Sequence, residues 1–97
     1  MASKNGTVGL GELRTKIDAV DTKLIRLLSE RFRLTEQVGL YKKKNQLPAY
    51  DRIREIQIAE RRKRMCESEG FDPETGKAVF QRILQLVRKR HREIRDS

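Results

Sequence analysis

The sequence predicts an all-α fold, a three-helix protomer with one long N-terminal helix, assembled as an intertwined homodimer. Three observations carry this. Apolar residues recur at helical spacing through nearly the whole chain. Strong helix-breaking signals fall at only two places, around Pro48 and around Gly70 to Pro73. The chain has 97 residues, 36% of them hydrophobic, so a single protomer can build only a small core of its own.

The first helix is expected over about 11 to 44. Leu13, Ile17, Val20, Leu24, Leu27, Leu34, Val38 and Tyr41 follow alternating steps of four and three, which is a heptad seam. Ile25, Leu28 and Phe32 widen the apolar face. The stretch 1–9, rich in Gly, Ser, Asn and Thr, reads as a flexible N-terminus, and 10–97 as one helical domain. Asn45 to Ala49 is the first break, with Pro48 ending the helix. The second helix is expected from near Tyr50 or Asp51 to about Cys66 or Glu67, with Asp51 favourable in its first turn and Gly70 as its stop. In the third, Asp72 is the cap and Pro73 the first helical residue, and the helix runs to about Arg95. Val79, Phe80, Ile83, Leu84, Val87 and Ile94 lie on its apolar side. Gly76 weakens its first turns by about 1 kcal/mol relative to alanine.

The first helix, at ~1.5 Å per residue, is a rod of about 50 Å. Two shorter helices cannot cover it, and the remaining apolar face calls for a second copy related by a two-fold axis.

Composition narrows the function. The 23 Lys and Arg against 14 Asp and Glu give a net charge of +9 and point to an anionic partner. One cysteine and one histidine leave no disulfide framework and no credible zinc site. No run of about 18 apolar residues suits a membrane span. The opening residues lack the apolar core of a signal peptide, which places the protein in the cytoplasm.

The informative residues are charges that break the apolar pattern. Continuing the seam by four from Leu27 reaches Arg31. On the third helix the line of Phe80, Leu84 and Val87 passes through His91 to Ile94. Arg14 and Lys42 each lie one position beyond the seam residues Leu13 and Tyr41. Asp51, Arg54 and Glu55 share one side of the second helix. A cation in an apolar seam is costly unless an anion meets it. Arg31 is a paired register-setting residue, or a side chain snorkelling to the edge, or part of a pocket for a small anion between helices. The planar guanidinium fork suits carboxylates. For His91 the plain reading is a satisfied core or surface histidine, and for Asp51, Arg54 and Glu55 an exposed ion-pair set. The runs Arg61-Arg62-Lys63-Arg64 and Arg88-Lys89-Arg90 could serve nucleic acid. Consecutive helical residues point all around the axis, however, and the few aromatics sit mostly at core positions, so no base-stacking platform forms.

Several of these residues form a familiar order. Leu13-Arg14-Thr15-Lys16-Ile17-Asp18-Ala19-Val20-Asp21 resembles the opening motif of the all-helical chorismate mutases. So do Leu27-Leu28-Ser29-Glu30-Arg31, Val38-Gly39 with Lys42, and Pro48 followed by Asp51-Arg52-Ile53-Arg54-Glu55. The resemblance covers roughly 10 to 95 and is strongest over 13 to 55. It implies a three-helix protomer in an intertwined homodimer with two sites built from both chains. It also implies the rearrangement of chorismate to prephenate in phenylalanine and tyrosine biosynthesis, without metal or cofactor. Arg31 and Arg54 would lie in the pocket of their own chain, and Arg14 would reach in from the partner. Arg14 and Arg31 would grip the two carboxylates, and Lys42 the ether oxygen and a carboxylate. Glu55 would accept from the ring hydroxyl, with Asp51 nearby and Arg54 orienting the acidic groups.

The third helix departs from the family pattern. Val87 stands where a serine is usual, and His91 where a glutamine donates to the ether oxygen. Val87 would lose a carboxylate contact, and His91 would replace the glutamine most strongly when protonated. An imidazole changes charge near neutrality, so activity is expected to follow a group titrating there. Two sister activities on the same scaffold stay open, an isochorismate pyruvate-lyase and a 4-amino-4-deoxychorismate mutase. Glu55 favours a substrate with a ring hydroxyl or amine. A basic helical dimer binding nucleic acid or a protein partner is the non-enzymatic alternative.

Overall fold

The structure is a computed structural model that describes residues 9–48 and 50–97. The expected flexible N-terminus lies, apart from Gly9, outside the described residues, as does Ala49 in the first break. The described residues form three α-helices and no strand: α1 (Leu10–Lys44), α2 (Arg52–Glu69) and α3 (Pro73–Arg95). The chain divides into two units, Met1–Leu34 and Thr35–Ser97, and the boundary falls within α1.

The first unit is the N-terminal run of α1. The Gly9 carbonyl accepts from Leu13 N–H at 3.1 Å and Glu12 lies in the first turn, where a carboxylate meets the positive end of the helix dipole. Its seam is open: Leu24 is 50% exposed and Leu27 61%, and Leu13, Ile17, Val20 and Leu34 are exposed as well. The less exposed positions of this run are Glu12, Leu28, Arg31 and Phe32. From Leu28 to Lys42 the partly covered face of α1 follows 28, 31–32, 35–36, 39 and 42. It is offset by about one residue from the predicted seam, which therefore remains a separate apolar stripe.

In the second unit the last turns of α1 meet α3, and α3 packs on α2. α1 ends at Lys44, where the sequence places it, three residues short of the position before Pro48. Leu47 N–H donates to the Lys42 carbonyl at 2.9 Å and Gln46 N–H to that of Lys43 at 3.3 Å. Gln46 takes the left-handed conformation, φ 55°, a position that favours glycine. α2 starts at Arg52 rather than at Tyr50 or Asp51, because Asp51 is its N-cap. The backbone of Asp51 is extended and its side chain accepts from Arg54 N–H at 3.1 Å. α2 also runs past Glu67 to Glu69 before Gly70, at φ 67°, turns the chain. Phe71 N–H then closes on the Cys66 carbonyl at 2.9 Å and Gly70 N–H on that of Glu67 at 3.3 Å, a Schellman closure.

α3 begins as expected. The Asp72 carboxylate accepts from Thr75 N–H at 3.0 Å and from its hydroxyl at 2.6 Å, and Pro73 is the first helical residue. These bonds, the hydroxyl's first, hold the Asp72 carboxyl below the ordinary carboxylate range. Gly76 does more than weaken the helix. It is buried, and a Cβ on it would stand 2.6 Å from Cys66 Sγ. The missing side chain is what lets α3 approach α2 there. At the other end of α3, the Lys43 ammonium donates to the carbonyls of Ile94, 3.0 Å, and Ser97, 2.8 Å. A cation thus meets the negative end of the helix. Arg90 pairs with Glu36 of α1 at 2.6 Å.

Among the described residues the only buried large hydrophobics are Val87, 7% exposed, and Ile94, 4% exposed. The predicted apolar line of α3 holds for these two, whereas Val79 is exposed and Phe80, Ile83 and Leu84 are half-buried.

Candidate active site

Of the eight candidate residues, Arg14 and Arg31 belong to the first unit. Arg14 is exposed and Arg31 half-buried, one turn from the half-buried Leu28. The other six lie in the second unit.

Val87 and His91 lie one turn apart on the face of α3 that meets α1. The His91 Nε2 stands 2.7 Å from the Thr35 carbonyl oxygen. That oxygen can only accept, so Nε2 carries a proton and donates. The ring lies over Gly39, where a Cβ would come within 2.8 Å of His91 Cδ2 and 3.2 Å of Ile94 Cδ1. Lys42, in the last turn of α1, is half-buried.

Asp51, Arg54 and Glu55 occupy the start of α2. Asp51 and Arg54 are exposed, and one oxygen of Asp51 is engaged in capping. Glu55 is half-buried and opens on a groove of about 640 Å³ between α2 and α3. Ala59, Cys66, Phe80 and Leu84 supply the apolar part of its lining. Its charged residues include Glu55, Glu60 and Glu74 with Arg62, Lys63, Lys77 and Arg88. Arg62 stacks over the Phe80 ring at 4.2 Å, and Arg88 over the Tyr50 ring at 5.3 Å. Such a groove offers an apolar floor and cations to a small anion.

The structure therefore joins Val87 with His91, and Glu55 with residues the sequence did not mark for a site, Leu84 and Arg88. Arg88 read as part of a basic run on a solvated surface. The signal that could have found it is its four-residue step from Leu84 on the apolar line.

Residues 13–92 match the chorismate mutase type II family. The chain belongs to that family. The matched segment contains all eight candidate residues. A chorismate mutase from Methanocaldococcus jannaschii is 33% identical over 76 residues, which cover 78% of this chain and 77% of that protein. The T-protein of Haemophilus influenzae is 34% identical over 76 residues, 78% of this chain but only 20% of that longer protein. A bifunctional chorismate mutase/prephenate dehydratase from Aquifex aeolicus is 42% identical over 52 residues, 54% of this chain and 14% of its own length. Family membership makes the chain an isomerase of the chorismate mutase class, and its three helices agree with the helical fold of that family. Among the described residues no helix is long and apolar enough to cross a membrane.

Proposed function

We propose that the protein converts chorismate to prephenate, in the cytoplasm, as a step of phenylalanine and tyrosine biosynthesis, in pockets shared between two copies of the chain. The observation that carries this reading is the family match over residues 13–92, which contains every candidate cation and carboxylate. A second support is the open seam of α1, with Leu24 half exposed and Leu27 more so. An apolar stripe of this length on a single helix is stabilised when a second helix covers it.

The chemistry needs little more than position and charge. Chorismate rearranges within itself: the ether C–O bond breaks as a C–C bond forms between the enolpyruvyl carbon and the ring. The site must hold the enolpyruvyl arm over the ring and stabilise the negative charge that grows on the ether oxygen. In this reading Arg14 of one chain and Arg31 of the other hold the two carboxylates. Lys42 donates to the ether oxygen and a carboxylate, and Glu55 accepts from the ring hydroxyl. Arg54 orients the acidic groups, and Asp51 stands nearby while its other oxygen caps α2. Val87 offers substrate no polar group. For His91 to donate to the ether oxygen, its Nε2–H has to leave the Thr35 carbonyl. No cofactor or metal takes part.

The test follows chorismate loss by absorbance, with identification of the product. Prephenate supports the proposal. Salicylate with pyruvate would assign the lyase reaction instead, and no turnover would overturn the enzymatic reading. Arg31→Ala should cost ~100-fold or more in kcat/KM, because a charged anchor is lost from a water-poor pocket. An unchanged rate would exclude the site as drawn.

A further inference from the structure

We propose that Arg88 is a substrate-binding residue of the same pocket, gripping a substrate carboxylate from the α3 wall opposite Glu55; this rests on the reading above. The register of α2 against α3 carries the argument. The two helices run antiparallel and meet turn by turn. Gly76 touches Cys66, and one turn on, Phe80 lies under the Arg62 guanidinium. A further turn brings Leu84 and Ala59 to the same groove, and the next brings Arg88 and Glu55. The two charged residues thus close one end of the groove from opposite walls.

Tyr50, just before α2, holds the Arg88 guanidinium by its face, 5.3 Å from the ring centroid. Stacking of this kind uses the π-face and leaves the in-plane N–H donors open for a bidentate partner. A dianionic substrate whose hydroxyl is read by Glu55 brings its own carboxylates close to a third. A cation on the facing wall offsets that repulsion. The neighbouring Val87 cannot serve, since it is apolar and only 7% exposed. Arg88 lines the groove instead, on the side of α3 that faces α2.

The experiment is steady-state kinetics on the full chain, with chorismate as substrate and prephenate as product inhibitor. Wild type, Arg88→Met, Arg88→Lys and Tyr50→Leu are compared, each with a melting curve. Arg88→Met should raise KM by ~10-fold or more and weaken prephenate inhibition to the same extent. Its kcat should stay within about threefold of wild type, because the contact is made to substrate and transition state alike. Arg88→Lys should fall between, since it keeps the charge and loses the fork. Tyr50→Leu should show a smaller rise in KM. A KM within about twofold of wild type in Arg88→Met overturns the proposal, as does a lowered melting temperature with KM unmoved, the mark of a purely structural contact with Tyr50. If Arg88→Met does not fold, Arg88→Lys decides on the same criterion. Absence of chorismate turnover by the wild type would instead refute the function on which the proposal rests.

Discussion

The His91 imidazole fills the space left by Gly39: a Cβ on residue 39 would stand 2.8 Å from His91 Cδ2 and 3.2 Å from its Nε2. The absent side chain lets the ring reach the Thr35 carbonyl one turn earlier on α1. Gly39→Ala should therefore push the ring away. It gains about 1 kcal/mol of helix propensity and loses more to overpacking, for a net destabilisation of about 1–2 kcal/mol. Denaturant unfolding measures this, and an unchanged midpoint would show that the ring yields freely.

His91 itself can be tested by substitution. His91→Gln keeps an amide N–H that can donate to the Thr35 carbonyl. The variant should stay folded and keep kcat/KM within about tenfold of wild type, whereas His91→Leu, which has no donor, should lose ~10-fold or more. Equal rates in the two folded variants would remove His91 from the chemistry.

Gly76 and Cys66 make a coupled pair. A methyl group on residue 76 would stand only 2.6 Å from Cys66 Sγ, so Gly76→Ala alone should destabilise by about 1–3 kcal/mol. In a Cys66→Ala background the sulfur is gone, and the same change should be neutral or stabilising by up to about 1 kcal/mol through helix propensity. Additive effects in the double-mutant cycle would contradict the contact.

Asp72 gives the start of α3 a pH dependence of known sign. Its folded carboxyl titrates below the ordinary carboxylate range because Thr75 donates to the charged form. The stabilisation is therefore full above the carboxylate range and is lost as pH falls from that range through the lowered folded value. Asp72→Asn should remove this component, so that the melting temperature of the variant falls less steeply on acidification than that of wild type.

The open seam of α1 makes a prediction about assembly. Under the proposed function the wild type sediments as a dimer, and Leu24→Lys places a charge in the middle of the shared stripe. That variant should sediment as a monomer and lose nearly all turnover. A monomeric wild type with full activity would sink the shared-pocket reading.

Much of the fold is local and therefore legible from the chain. Asp72 followed by Pro73, the Gly70 turn and the heptad spacing from Leu13 to Tyr41 act within a few residues, through capping bonds, backbone conformation and side-chain period. They determined three helices and, for α3, both ends. Arg31 and His91 stood out because a polar or charged group on an apolar line is costly wherever the chain goes, and Glu55 through the family resemblance. What lay beyond the sequence depends on the pairing of distant segments. The register of α2 on α3 decided that Gly76 is a close-approach residue and that Arg88 joins Glu55 at one groove. The packing of α3 on the end of α1 decided that Val87 is buried and that His91 donates to Thr35. Helical period says which residues share a face, and only the placement of a neighbouring helix says what that face meets.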